Sequence, residues 1–171
     1  SVIVKSAKTR RDVASFQIGN RLSVSWSGAG ELKTLTQCES RAIAISVESF
    51  AGVFYINELI LFLLPKNDEY SRLFESYQLY LLQLGELESD RSLLYQQQFE
   101  ILLRNFELDL LSSLGYMPPL DHESVDSTPL RPESLYHVDA VSGITLCQAT
   151  TQASSAFSAK DLLCIHHRDF S

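Results

Sequence analysis

Hydrophobic positions change period along the chain. They alternate in short stretches up to about Gln37, recur every three to four residues from Ser46 to Tyr116, and thin out beyond Met117. In the first part, Val2 to Val4 predict the end of a buried strand, and Lys5 to Asp12 a polar basic loop or hairpin tip. Leu22, Val24 and Trp26 fall on one side with Ser23 and Ser25 opposite, which predicts a half-buried strand. A turn at Ser27-Gly28-Ala29-Gly30 and renewed alternation from Glu31 to Gln37 complete a hairpin. So few strands cannot bury a sheet alone. Either earlier strands precede this stretch or the sheet leans on helices.

The helical period then predicts three successive helices. Phe50, Val53, Phe54, Asn57, Leu61 and Leu64 share one face of the first. Ile56, Leu59, Ile60 and Leu63 cover much of the rest, and Pro65 ends it. Asn67 or Asp68 is positioned to cap the second, from about Glu69 to Leu84, with Leu73, Phe74, Tyr77, Tyr80, Leu81 and Leu84 inward and Gly85 closing it. The third starts near Ser89 or Asp90. Phe99, Leu102, Leu103, Phe106, Leu110 and Leu114 form one face; Ile101, Leu108 and Leu111 form a second, broken by Arg104. Gly115 is its expected stop. A helix apolar on two sides must be covered on two sides, so it is expected at the centre of a bundle. Met117 to Pro132, with four prolines, predicts an ordered loop or a linker. Leu135 to Val138 and Ile144 to Gln148 predict short strands about the Val141-Ser142-Gly143 turn, and Ser158 to His167 a final helix capped by Ser158.

Length and composition fit this picture. The 171 residues suit one ordinary domain or two small ones, and 45% hydrophobic with 20% charged residues reads as globular. The longest apolar run, Leu59 to Leu64, is far too short for a membrane span. Charge is uneven: residues 1 to 41 hold seven Lys or Arg against three acids, +4, while the whole chain is −7. Overall acidity argues against a protein coated by nucleic acid, yet leaves room for a basic footprint on the first segment. The chain opens without methionine, in strand-like sequence, and ends just after a helix-like start, so a partial chain is expected.

Candidate chemistry is sparse. Cys38, Cys147 and Cys164 with His166 and His167 have no finger or ribbon spacing, so reduced thiols and no metal site are expected. Glu100, Glu107 and Asp109 offer carboxylates, but Glu100 is also placed to pair with Arg104 at i,i+4. No serine elbow, phosphate loop or H-E-x-x-H is present, and no enzyme is expected. Lys5, Lys8, Arg10 and Arg11 beside Phe16, Arg21 and Trp26 are better material, because single-stranded nucleic acid needs positive charge for phosphates and an aromatic platform for bases. Trp26 as core and the loop as solvated surface are the plainer alternatives. Arg104 likewise has two readings. It is either a surface residue whose stem covers Leu108, or an anion anchor at the lip of an apolar groove suited to an acidic peptide.

GELKTLTQCES at Gly30 to Ser40, YINELILFLLP at Tyr55 to Pro65 and LLRNFELDLLSSLGY at Leu102 to Tyr116 resemble the bacterial recombination mediator family RecO, and FSAKDLLCIHHRDF at Phe157 to Phe170 fits it more weakly. The resemblance spans almost the whole chain in one order. It implies an α+β chain: a partial N-terminal OB-fold β-barrel over residues 1–40, then a mainly helical domain over 41–171 with a small irregular or β insertion at about 117–156. It implies binding to single- and double-stranded DNA, annealing of complementary strands, and binding of the tail of the single-strand binding protein SSB. Cooperation with RecR and a functional link to RecA loading in gap repair follow, in the cytoplasm and nucleoid, without membrane, catalytic residue or cofactor. Lys5, Lys8, Arg10 and Arg11 match the family's basic segment and inherit a DNA role, with Arg21 beside them. Arg104 matches an arginine associated with the acidic, Phe-ended SSB tail, with Ile101 and Leu108 flanking it. Earlier OB strands and later basic helices of the family are absent from this chain, and Met117 to Leu135 lacks the cysteines that bind zinc in some members. A protein-only adaptor that binds the tail without touching DNA is the alternative. A hydrolase using Glu and His side chains is a third class that no spacing favours.

Overall fold

The computed structural model describes the backbone of residues 2–3 and all of residues 16–30, 33–66, 68–87, 92–147 and 156–170. The fold is α+β. The chain divides into two compact units, Ser1–Phe106 and Glu107–Ser171, with the division falling inside one long helix.

The first unit opens with a three-stranded sheet in the order β1-β3-β2, formed by β1 (Val2–Ile3), β2 (Arg21–Ser27) and β3 (Lys33–Arg41). β1 runs parallel to β3, whereas β2 pairs antiparallel to it from Arg21↔Arg41 to Ser27↔Thr34. The register shifts at Ser25/Trp26, leaving Thr36 as the extra residue on β3. The described strands make no closed barrel. The hairpin is as the alternation predicts, but its apolar face is buried unevenly: Leu22, Leu35 and Cys38 are half-buried, whereas Val24 and Trp26 are exposed, Trp26 to 55%. Alternation fixes which side chains share a face, not what covers that face.

Three helices follow: α1 (Phe50–Leu63), α2 (Ser71–Glu86) and α3 (Leu93–Ser113). Val53, Ile56, Leu73, Tyr80, Leu81, Leu84, Tyr95 and Phe106 form the core of this unit. A Cβ on Gly52 would lie 2.7 Å from both the Phe99 ring and the Tyr80 hydroxyl, so glycine there lets α1 close on both neighbours. Buried Ser49, the residue before α1, does not cap it. Its hydroxyl sits 2.9 Å from Ser46 Oγ and 3.0 Å from the Tyr95 hydroxyl. α1 is apolar all round, so its periodicity selects too broad a face: Phe54, Leu61 and Phe62 are exposed. Phe74 on α2 is exposed as well. Gly85 lies within α2 rather than ending it. A Cβ at that position would overlap the Ala44 carbonyl oxygen, so the glycine serves a close backbone approach. Ser92 stands just before α3, and its Oγ accepts from the Tyr95 N–H at 3.1 Å; Ser89 and Asp90 lie outside the described residues.

In the second unit, α3 ends as the sequence predicts. Gly115 has φ +76°, and the Tyr116 and Gly115 N–H groups donate to Leu111 O and Ser112 O at 2.9 and 3.1 Å, a Schellman arrangement. A sheet in the order β5-β4-β6 follows, all antiparallel: β4 (Leu135–Asp139), β5 (Gly143–Leu146) and β6 (Ala156–Ser158). Helix α4 (Ala159–His167) starts from a complete capping box between Ser158 and Asp161. Leu120, Leu130, Tyr136, Ile144, Ala159 and Leu162 make the core, with Met117 and Ile165 against it. The proline-rich stretch is therefore an ordered part of this core, because Leu120 and Leu130 anchor it. β6 has no counterpart in the sequence reading; three residues are too few for a period to register. Among the described residues no helix is long and apolar enough to cross a membrane.

Candidate functional site

Of the residues expected to meet DNA, Lys5, Lys8, Arg10 and Arg11 lie outside the described residues. Arg21 opens β2, is exposed, and stands directly opposite exposed Arg41 at the end of the β2/β3 ladder. Two like charges opposed across a ladder destabilise it by up to about 1 kcal/mol. Both arginines line one groove of about 400 Å³ with Ala44 and with Gln78, Leu82 and Glu86 of α2. Arg41 is not among the sequence candidates. The signal that identifies it is the hairpin register, which no residue-by-residue inspection supplies. The structure also separates what the sequence groups: Arg21 and Trp26 differ by an odd number of residues along β2, so they project to opposite faces. The exposed indole shares its face with Leu22, Val24 and, across the ladder, Leu35 and Cys38.

Ile101, Arg104 and Leu108 occupy one continuous helix, where about 100° per residue puts them within about 60° of one another. Arg104 is exposed, Ile101 and Leu108 half-buried. Ile101 lines a groove of about 510 Å³ with Gln83, Leu94, Tyr95, Gln98 and Leu102, and Arg104 is not among that groove's walls. A second groove, of about 530 Å³, lies between α1 and α2. There Tyr77 donates a 2.9 Å hydrogen bond to Asn57 Oδ1, which explains the polar residue on α1. Burial pushes the Tyr77 phenol up from its ordinary value, more than the Asn57 hydrogen bond pulls it down.

The remaining candidates disperse. Asp109 accepts a hydrogen bond from Arg168, just past α4, and Glu100 is exposed on α3. Cys38, Cys147 and Cys164 carry free thiols. His166 and His167 stack edge to face on α4 at 5.0 Å. Among the described residues no three His, Cys, Asp or Glu side chains gather to hold a metal ion. The geometry offers grooves and charged surfaces suited to binding.

A family model described as recombination protein O C terminal matches residues 46–166. The chain belongs to the RecO family. It is 34% identical to the DNA repair protein RecO of Coxiella burnetii (strain RSA 331 / Henzerling II), across 91% of this chain and 64% of that protein. The RecO of Methylococcus capsulatus is 37% identical across 85% of this chain and 63% of its own length. The RecO of Nitrosospira multiformis is 32% identical across 99% and 69%. The chain thus spans 63–69% of the length of these relatives. The family-model match covers α1 to α3 and nearly all of the second unit; the β2/β3 hairpin precedes it but lies within the 99% of this chain matched by the RecO of Nitrosospira multiformis.

Proposed function

We propose that this chain serves DNA repair as a non-catalytic recombination mediator. Its membership of the RecO family, carried by the match over residues 46–166, is the observation that supports this most. In this reading the β1–β3 sheet is the later part of an OB-fold spanning residues 1–40, and residues 41–171 form the helical domain with its insertion. Lys5, Lys8, Arg10, Arg11 and Arg21 hold single- or double-stranded DNA by its phosphates. Ile101 and Leu108 receive the apolar end of the SSB tail while Arg104 attracts its carboxylates. Holding both ligands on one chain raises the effective concentration of each for the other. Neutralised phosphates let complementary strands approach and anneal, and with RecR the complex assists RecA loading in gap repair. The setting is the cytoplasm and the nucleoid. Free energy comes from binding and base pairing, without catalysis or cofactor.

The test is a titration of labelled single-stranded DNA into the full-length protein at two salt concentrations. Changing Lys5, Lys8, Arg10 and Arg11 together to alanine should weaken binding and make the salt slope shallower by roughly 3, at about 0.7 for each phosphate that is no longer neutralised. Unchanged affinity and slope would remove DNA from this segment. The alternative is a protein-only adaptor in which the basic stretch is solvated surface. It would bind an acidic, Phe-ended peptide, lose that binding in Arg104→Ala, and ignore DNA.

A further inference from the structure

We propose that Arg21 and Arg41 form a two-arginine seat for a phosphodiester group of a nucleic-acid strand, at the groove between the end of the β2/β3 ladder and α2. The proposal rests on the DNA-binding reading above and adds to it a second anchoring point, with a residue that reading does not use.

The register places the two arginines as direct cross-strand partners. Both are exposed, and among the described residues neither forms an ion pair with a carboxylate. A like-charged pair left unneutralised at a strand end is unfavourable for folding, and an anion bridging the two guanidiniums relieves it. Guanidinium forks match phosphate oxygens bidentately, which an ammonium cannot do. The groove also holds Glu86, so its formal charge is +1, the complement of a single phosphodiester. Gln78 adds an amide donor from the α2 side.

The seat is firmly built. Gly85 lets α2 approach the Ala44 carbonyl, which fixes the helical wall against the chain leaving β3. Beside it, Asn20 Nδ2 donates to Ser40 Oγ at 3.4 Å, tying the two strands at the same end. Trp26 faces the other side of the sheet, so no β2 aromatic is available for a base at this seat. The two guanidiniums contact a phosphodiester, which carries no base identity, so binding at this seat is independent of base sequence.

The experiment uses the full-length protein, fluorescein-labelled oligodeoxythymidine and a mixed-sequence oligonucleotide, at two salt concentrations. Arg21→Ala/Arg41→Ala should weaken both oligonucleotides equally, on the order of tenfold, with a salt slope shallower by roughly 0.7 for the one phosphate that is no longer neutralised. Its Tm at low salt should stay level or rise, because a repulsive pair is gone; a merely structural pair would lower it. Arg21→Lys/Arg41→Lys should keep most of the salt slope while losing part of the affinity, and it serves if the alanine variant does not fold. Pyrophosphate should raise the Tm of the unmodified protein and not of the alanine variant. Unchanged affinity and slope in the Arg21/Arg41 variants, alongside lost binding in the variant with alanine at positions 5, 8, 10 and 11, would overturn the seat and leave the mediator reading standing. If the unmodified protein binds no oligonucleotide, the mediator reading falls. Protection by pyrophosphate in the unmodified protein alone would then keep the phosphate seat, with another source of phosphate, and its absence would overturn the seat too.

Discussion

The two units hold their shapes in different ways. In the second, side chains satisfy the backbone close to home. Asp139 Oδ1 accepts from the Val141 and Ser142 N–H groups, Asp126 Oδ1 from the Thr128 N–H, and Ser124 Oγ from the Ile144 N–H. Ser158 and Asp161 cap α4 reciprocally. In the first unit Ser92 caps α3 through its Oγ, but neither α1 nor α2 has a side-chain cap, and Ser49 turns its hydroxyl inward instead. Large apolar side chains stand out from both units, Leu61 to 84% and Phe62 to 86% in the first, Val125 to 81% and Val141 to 96% in the second, so exposure does not separate them. The difference teaches that the second unit is shaped by local hydrogen bonds around a small core. The first depends on long-range helix packing, and it carries the arginine pair and the three grooves described above.

The largest expected effect lies where the second unit concentrates its packing. Tyr136 is fully buried and accepts the Arg131 N–H at 2.7 Å. Tyr136→Ala should destabilise the unit by about 3–5 kcal/mol, read from loss of amide-exchange protection in β4 and β5. Tyr136→Phe keeps the ring and should cost only about 1 kcal/mol. If alanine cost no more than phenylalanine, local hydrogen bonds and not core packing would carry this unit.

The next effect tests long-range packing in the first unit. By helix propensity alone, Gly85→Ala should stabilise α2 by about 1 kcal/mol. The new methyl would overlap the Ala44 carbonyl, a backbone atom that yields poorly, and overpacking of this kind costs about 1–3 kcal/mol. Net destabilisation, seen as a lower urea midpoint, is the expected outcome. A raised midpoint would show that the approach of α2 to the chain after β3 is loose.

These two positions also mark what the sequence can disclose. The end of α3 at Gly115, the Ser158 cap and the β2/β3 hairpin are legible, because each rests on chemistry within a few residues. Gly85 reads as a stop because its reason lies at Ala44, forty-one residues away in the chain. The buried face of α1 is illegible for a different reason: apolar residues all round its axis leave no preferred direction. Met117–Pro132 reads as an ordered loop or a linker, and the choice is left open because two isolated leucines, Leu120 and Leu130, do the anchoring without setting a period. At the candidate site, the YINEL and LRNFEL segments identify the family, whereas the Arg21–Arg41 juxtaposition exists only in the register.

The smallest expected effect is in acid, and it separates the units by chemistry. Asp121, Asp126 and Asp139 all belong to the second unit and are held below the usual aspartate range. For Asp139 the causes are the backbone N–H groups of Ser142 and Val141, each 2.9 Å from Oδ1, then the Ser142 hydroxyl at 3.1 Å. A carboxylate whose pKa is lower folded than unfolded contributes stability that is fully present above the unfolded value, about 3.9, and is lost as pH falls through the folded value. The β4–β5 turn should therefore weaken only below about pH 4. Asp139→Asn keeps an oxygen that accepts the same N–H groups but cannot titrate. Its β4–β5 amide protection should fall less than that of the unmodified protein between neutral pH and pH about 3, by a small margin because the group is exposed. Equal losses in both proteins would mean that the turn is held by its geometry and not by the carboxylate charge. The local hydrogen bonds that distinguish the second unit would then be neutral ones, and its contrast with the first unit would rest on bond placement alone.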